Sequence, residues 1–577
     1  MTTFSDYIAA FRSAPKPPSD YTACRVAVLS CGTITKLDQI LSVTLWENKI
    51  NAEIYLSPYM GHLSDIADAG GALYRFNPEI IFIHTDILDL IGDRLLNPYA
   101  SDIAADINGG FEKIKALLLF LASKVSATIV FSNYAIPVYS PLGINEKIYF
   151  RALRRVNEDL LYLSEANPKI KIFDFEAFTS LIGKKNIVDL KLYYEGDFRV
   201  RPNLFPALAS EYAKYILLKL GMGKKAIVID LDNTIWGGVI GEDGINGVEL
   251  SPNGAGRPCY DFQKQLAALR ASGIVLAISS RNNEADAWEM FEKHPHMVLK
   301  KEDFAAYRIN WNDKAQSIKE LSQELSLGVD SMIFIDDDPT NRDRARKELP
   351  SLFVPDLPSD PLYYPSIVAS LPPFGTLDFT AEDAMRGAMY QAERKRQELA
   401  ETLNYDDYIA SLQISIKITG ITQENIIRAA QLTQKTNQFN MTTKRYGAGD
   451  IEQMIKNGAI LLAAYVSDRF GESGLTGVAI AVSQDDYWEI DSFLLSCRVI
   501  GKKAEEALLR SLFKRIKDKG ATMVKAKIIF TPKNLPARDF YQRMGFKLVK
   551  AEEDYEEYST NDFDVKCPEY IKIEEVL

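Results

Sequence analysis

The chain has 577 residues, 47% of them hydrophobic and 25% charged, with a formal net charge of −11. That is the composition of globular protein, the length suits about three or four domains, and the acidic balance argues against a general nucleic-acid binder. The five cysteines, Cys24, Cys31, Cys259, Cys497 and Cys567, form no CxxC pair and have no histidine at metal-ligand spacing, as expected of a reducing compartment.

The opening Met1-Thr-Thr-Phe-Ser-Asp lacks the basic and apolar regions of a signal peptide. The most apolar span, 116–131, is broken by Ser123-Lys124 and Ser126 and reads as a helix followed by a strand, not as a membrane span. A cytoplasmic protein is expected, with neither a membrane nor a nucleic acid as partner. Residues 1–20 predict a short helical segment ending at Pro15, Pro17 and Pro18. Residues 25–30 then read as a buried strand ending in Cys31-Gly-Thr33. Strand-like runs recur at 53–56, 80–83 and 128–131, separated by helical stretches, notably 111–123 and 146–166. Such alternation predicts a parallel sheet covered by helices, a first α/β domain over residues 21–221. Ser30 at the first strand end, Asp86 after the third strand and Asn133 after the fourth make this segment resemble an SGNH hydrolase at the level of fold. Those hydrolases activate a serine with a histidine near the domain's C-terminal end. No histidine lies between positions 85 and 293, so the Asp-x-x-His expected near Asp189 is missing. A serine without a base is a poor nucleophile, so a non-catalytic docking or scaffolding role is expected, with Cys31 a buried strand-end cysteine.

A second domain is expected over 222–373. Residues 226–229 are apolar and run into Asp230 and Asp232. Such a run suits a strand buried on both faces, and its C-terminal end is where open α/β sheets bind ligands. In an extended segment this spacing puts both carboxylates on one face. The Asp243-Gly244 step between short apolar runs predicts a hairpin, a flap over the acidic pair. A helix over 258–271 is stopped by Gly273. A strand over 274–278 ends in Ser279-Ser280-Arg281-Asn282, Lys314 opens a helix to about Leu327, and a strand over 332–335 ends in Asp336-Asp337-Asp338-Pro339.

This ordered set resembles the haloacid-dehalogenase (HAD) superfamily of phosphoryl-transfer enzymes. The resemblance makes Asp230 the nucleophile and Asp232 the general acid/base. It gives Ser280, with Ser279 as the other register, and Lys314 to the phosphate oxygens, and Asp230, Asp232, Asp336 and Asp337 to Mg²⁺. A carboxylate attacking a phosphate meets like-charge repulsion, which Mg²⁺ and a lysine neutralise, and hard oxygen ligands suit Mg²⁺. The intervals between motifs leave no space for a folded cap, so the site is expected to be open to a large substrate. The run from Asp230 to Gly244, with Phe262-Gln263, Ser280-Arg-Asn-Asn283, Ile309-Asn-Trp311 and Phe334-Ile-Asp-Asp-Asp-Pro339, narrows the resemblance to the FkbH-like family (HAD subfamily IIIC). Members are associated with acyl carrier proteins. Some take 1,3-bisphosphoglycerate, remove its phosphates and load the glyceryl group onto a carrier thiol, with a cysteine thioester proposed on the route. In many relatives a cysteine precedes the motif-two serine. Here that position is Ser279, which leaves Cys259, at a helix start where a thiol pKa can be lowered, as the domain's candidate acyl anchor.

A Pro-rich connector over 350–373 leads to a charged linker helix over 374–410. Alternation at 412–418 starts a third domain, 411–577. It holds two long strand pairs around 468–474, then Arg498-x-x-Gly501 before a helix to Lys519, then Asn534…Tyr541…Gly545-Phe546. The order resembles a GNAT acetyltransferase, in which amides after that strand cradle the CoA pyrophosphate at a helix N-terminus. The resemblance implies Arg498, Gly501, Asn534 and Tyr541 as the cofactor-binding set. The usual loop ends in Gly or Ala where Lys503 stands, and its side chain crowds the backbone approach. A working CoA or phosphopantetheine site and a degenerate fold that docks a carrier protein both stay open. The whole predicts an SGNH-like parallel α/β domain, a HAD-like Rossmannoid domain without a large cap, and a GNAT-like α+β domain. The expected activity is Mg²⁺-dependent removal of phosphate from a small acyl phosphate, with transfer of the acyl group to an acyl carrier protein thiol. The rivals are a plain phosphatase with appended binding domains and a non-catalytic carrier-docking scaffold.

Overall fold

The computed structural model describes residues 3–13, 17–18, 21–92, 102–137, 148–377, 392, 396, 399, 404–436, 438–531 and 534–576. The chain forms two compact units, Met1–Gly223 and Lys224–Leu577. In the first, five parallel strands, β1 (Thr22–Ser30), β2 (Ile50–Leu56), β3 (Ile80–His84), β4 (Thr128–Ser132) and β5 (Ile170–Phe173), stand in the order β2-β1-β3-β4-β5. Successive side chains of a strand point to opposite faces. Ala27, Leu29, Ile81 and Ile83 therefore pack with the helices Ile103–Lys124 and Ile148–Ala166, while Val26, Val28 and Phe82 pack with Leu37–Trp46 and Phe205–Lys219. Burial on both faces is why these strands read as continuous apolar runs. The first helix spans Phe4–Ser13. Among the described residues no helix is long and apolar enough to cross a membrane.

The second unit holds two sheets. The first is parallel, in the order β8-β7-β6-β9, from β6 (Ala226–Ile229), β7 (Val275–Ser280), β8 (Phe304–Ile309) and β9 (Met332–Ile335). The expected strand at 274–278 extends through both serines. β8 was not expected: Tyr307 and Arg308 interrupt its apolar run, and the Arg308 guanidinium is drawn to Glu320 and Glu324 at 2.8 and 2.7 Å. Helices Arg257–Ala271 and Lys314–Glu324 follow β6 and β8. The expected hairpin at Asp243-Gly244 is instead a helical turn, Ile240–Asp243. The Asp243 carboxylate accepts from the Val239 N–H at 2.8 Å and closes that turn, and antiparallel pairing is limited to Gly237 with Glu249.

The other sheet runs β16-β17-β15-β14-β13-β12-β10-β18, with β11 beside β14. Its strands are β10 (Ser415–Gly420), β11 (Phe439–Asn440), β12 (Ile460–Asp468), β13 (Gly471–Ser483), β14 (Trp488–Leu495), β15 (Val524–Ile529), β16 (Lys547–Ala551), β17 (Tyr555–Thr560) and β18 (Lys572–Val576). Helix Ala504–Asp518 buries Leu508, Leu512 and Ile516 in the core with Phe493 and Ile490. Most of the expected linker helix lies outside the described residues. Arg396 within it grips Asp468 through Nε and Nη2 at 2.6 and 2.8 Å.

Candidate active site

Three strand ends and one helix start build the site. β6 delivers Asp230, β9 delivers Asp336 and Asp337, β7 ends in Ser279 and Ser280, and Lys314 opens the helix after β8. Asp230, Asp336, Ser280 and Lys314 are all buried. The Lys314 ammonium lies 2.8 Å from Asp230 Oδ2 and 2.5 Å from Asp336 Oδ2. One oxygen each from Asp230, Asp336 and Asp337 lie within 4.8 Å of one another. Three carboxylates thus face one ammonium, an excess of negative charge in a buried place.

The proton affinities reflect that excess. Burial, then Asp230 and Asp336, push the Asp337 carboxyl up to about 6. Burial and Asp230 raise Asp336 against the pull of Lys314. Burial works against the Lys314 charge, but Asp230 and Asp336 outweigh it and hold its pKa above the ordinary value. Asp230 Oδ1 is buried with no hydrogen-bond partner among the described residues. A hard divalent cation such as Mg²⁺ fits these oxygens, because it supplies the missing positive charge and a partner for the orphaned oxygen.

The Asp232 carboxylate does not join this group. Oδ1 accepts from the Trp236 indole N–H at 2.8 Å and from the Ile240 N–H at 3.1 Å, and Oδ2 accepts from Asn282 Nδ2 at 2.9 Å. Strand geometry ends at Ile229 and the chain turns, so the two-residue alternation expected to align Asp232 with Asp230 does not extend to it. Burial raises the Asp232 pKa, opposed by these three donors. The residues around both carboxylates were not foreseen. Asn341 Nδ2 donates to both Asp336 oxygens at 3.3 Å, Arg342 donates to the Asp336 and Asp337 carbonyls, and Thr234 meets Asp337. Asn282 had one available signal, its place two residues beyond Ser280. Cys259 is buried, and burial aided by Glu249 pushes its thiol up to about 11, the reverse of an activated cysteine.

In the first unit Ser30 pairs across the sheet with His84, and both line one small pocket with Thr33 and Arg199. Burial pushes the His84 imidazole down to about 4. The other residues of the expected triad layout serve the fold. Asn133 donates to Asp174 and accepts from the Glu176 N–H, while Asp86 and Asp189 cap helices.

In the last sheet Gly501 and Lys503 both have positive φ, 79° and 62°. Lys503 stands at the N-cap of Ala504–Asp518, its ammonium 3.2 Å from Glu506, and Arg498 lies half-buried in the turn Cys497–Val499. Asn534 and Tyr541, expected at a cofactor, are built into the core. Asn534 Nδ2 donates to the Asn440 and Ile529 carbonyls and its Oδ1 accepts from the Thr531 N–H. Tyr541 packs against Phe540, Phe546 and Tyr558. β14 and β15 pair at three positions, Trp488 with Val524 to Ile490 with Ala526, and then part. Residues 439–441 bridge the opening. β11 pairs with Leu494 and Leu495, the Met441 N–H donates to the Phe493 carbonyl at 3.2 Å, and the Ile529 N–H donates to the Met441 carbonyl at 2.7 Å. Backbone groups freed where the strands part are thereby paired within the chain.

No family model matches the sequence, and no curated protein matches it. Among solved structures, the chain is similar to the N-terminal part of the protein BF1531 from Bacteroides fragilis, which contains a phosphatase domain and was solved in complex with Mg. The two are 27% identical, with a TM-score of 0.59 over 66% of this chain and all of that one. Slighter likenesses run to a GNAT-family acetyltransferase from Staphylococcus aureus (16% identity, TM-score 0.21, 25% of this chain and 98% of that one) and to the PaiA N-acetyltransferase of Thermoplasma acidophilum in complex with coenzyme A (16%, 0.22, 26% and 99%). Likenesses of that size carry no argument about activity.

Proposed function

We propose that the chain is a Mg²⁺-dependent phosphohydrolase that forms a phosphoryl-aspartate on Asp230 and acts on a phosphate carried by a small acyl group destined for an acyl carrier protein thiol. The observation that carries this reading is the set of buried Asp230, Lys314 and Asp336 with half-buried Asp337 at adjoining element ends. The likeness to a phosphatase domain solved with Mg supports it, and the FkbH-like pattern supports the acyl part. Asp230, Asp336 and Asp337 would hold the ion, which when bound neutralises charge on the phosphoryl oxygens.

The remaining steps belong to the chain's own residues. The Asp230 carboxylate attacks phosphorus and the bond from phosphorus to the leaving oxygen breaks. Lys314 and Ser280 hold phosphoryl oxygens. Asp232 gives a proton to the leaving oxygen, then takes one from the water that splits the phosphoaspartate and releases phosphate. Thioester formation is a separate event, because the thiol must attack the carbonyl carbon, break its bond to the bridging oxygen and expel phosphate. Displacement at phosphorus would free a carboxylate instead. In a substrate such as 1,3-bisphosphoglycerate, Asp230 therefore acts on the phosphate ester, while the mixed anhydride drives the thioester.

The burial of Cys259 favours the carrier's own thiol as acceptor, and it equally favours the second reading, a plain phosphatase with appended binding domains. The GNAT-like sheet is assigned to carrier docking, since Asn534 and Tyr541 are committed to the core and residues 439–441 bridge β14 and β15. CoA or a phosphopantetheine thioester is the ligand to test at Arg498, Gly501 and Lys503. The experiment incubates the full chain with Mg²⁺, 1,3-bisphosphoglycerate and a phosphopantetheinylated carrier protein, following phosphate and carrier mass. Phosphate release with a mass gain on the carrier is expected. Asp230→Asn should cut hydrolysis of the phosphate ester by about 10³-fold or more. Release without a mass gain leaves the plain phosphatase, and no release overturns both readings.

A further inference from the structure

Asp232 is held in an asymmetric way that the acid/base assignment alone does not require. Two donors meet Oδ1, the Trp236 indole N–H at 2.8 Å and the Ile240 backbone N–H at 3.1 Å. One donor meets Oδ2, Asn282 Nδ2 at 2.9 Å. A carboxyl oxygen offers two lone-pair directions, so among the described residues Oδ1 is saturated while Oδ2 keeps one direction open. The donors come from separate parts of the fold. Trp236 is fully buried, wedged against Phe291, and Ile240 opens the helical turn Ile240–Asp243. Asn282 follows the end of β7 and is buried. The turn that carries Trp236 and Ile240 is itself fixed. The Gly238 N–H donates to Asn233 Oδ1 at 2.9 Å, and Gly238 has φ +94°, where a Cβ would come within 2.7 Å of Asp243 Oδ2.

We infer that Trp236, Ile240 and Asn282 are positioning residues that fix the Asp232 carboxyl so that Oδ2 alone carries the proton exchanged with the leaving oxygen and with water. The inference rests on the phosphatase reading and adds to it a dependence on the leaving group. With Oδ1 held by two N–H groups, the carboxyl cannot rotate about its Cβ–Cγ bond without losing both. Asn282 sets the remaining direction, and a proton on Oδ2 stays in the carboxyl plane, aimed away from Asn282. An alkyl ester leaves as a strongly basic alkoxide and needs that proton as its bond to phosphorus breaks. An aryl ester with an acidic phenol leaves with little help. Loss of Asn282 frees Oδ2 and misaims the proton, which harms the alkyl ester far more than the aryl one. A merely structural role would harm both alike.

The test compares glycerol 3-phosphate with p-nitrophenyl phosphate, using the full chain with Mg²⁺, for wild type, Asn282→Ala and the nearly isosteric Asn282→Leu, which also loses the donor. In both variants kcat/KM, which reports the steps through departure of the leaving group, is expected to fall about 10²-fold on glycerol 3-phosphate and less than about fivefold on p-nitrophenyl phosphate, while the midpoint of thermal unfolding stays near that of wild type. Equal losses on the two substrates, or no loss on either, overturn the positioning role while leaving the phosphatase reading in place. Should wild type hydrolyse neither substrate, and form no phosphoryl adduct that Asp230→Asn removes, both fall together.

Discussion

Lys314 sits among the carboxylates of the candidate site. Its ammonium is the positive partner of two buried carboxylates, Asp230 and Asp336. Breaking a buried ion pair by removing one member leaves uncompensated charge and costs about 3–5 kcal/mol. Lys314→Met is therefore expected to lower the unfolding midpoint measured in EDTA, to regain part of that loss when Mg²⁺ is added, and to stay inactive in phosphate release. An unchanged midpoint in EDTA would show that the lysine is not pairing these groups. At this scale much of the site was legible in the sequence. Asp230, Asp336 and Asp337 follow short apolar strands, and a strand buried on both faces has a recognisable composition and a definite end. Asp232 was legible only in part. Its spacing from Asp230 implied a shared face, but extended geometry stops at Ile229, and the hydrogen bonds that hold its carboxyl come from Trp236 and Ile240 in the turn and from Asn282 beyond another strand. Pairings across fifty residues leave no trace in local pattern.

Among the elements, helix Ala504–Asp518 begins with an anomaly. Glu505 and Glu506 in its first turn are both buried, and each has one carboxylate oxygen without a hydrogen-bond partner among the described residues. Burial, then Glu506, push the Glu505 carboxyl up to about 7. A group whose pKa is higher folded than unfolded binds more protons in the native state, so stability falls as pH rises. The stabilisation it gives is complete below the ordinary Glu value and is lost as pH climbs through about 7. Glu505→Gln is expected to raise the unfolding midpoint at pH 8 and to flatten its fall between pH 5 and 8, as followed by calorimetry. A variant that keeps the wild-type slope would contradict this. The same elements show where pattern reading stopped. The Asp243-Gly244 step carries hairpin chemistry, yet Asp243 spends its carboxylate on the Val239 N–H and closes a helical turn. β8 escaped because Arg308 breaks its apolar run while being neutralised by Glu320 and Glu324 from the next helix.

Across the whole molecule, alternating strands and helices announced the parallel sheets of both units, because helices on both faces force apolar strands at regular intervals. The mixed sheet of the second unit was legible in part, at 412–418 and around 468–474, but not in the way residues 439–441 bridge β14 and β15, a long-range pairing set by the β11 ladder, two backbone hydrogen bonds at Met441 and the Asn534 amide. In the first unit Ser30 lies in register with His84, a neighbour that strand register alone reveals. His84 is half-buried and lines one small pocket with Ser30, while Asn133 is committed to Asp174 and to the Glu176 N–H. The most direct measurement is to quench the full chain during turnover with Mg²⁺ and p-nitrophenyl phosphate, reduce it with borohydride, which converts an aspartyl phosphate to homoserine, and map the peptides by mass spectrometry. Homoserine at position 230, absent without substrate and absent in Asp230→Asn, is the expected result. Turnover with aspartate intact at 230, or homoserine at another position, would contradict the account.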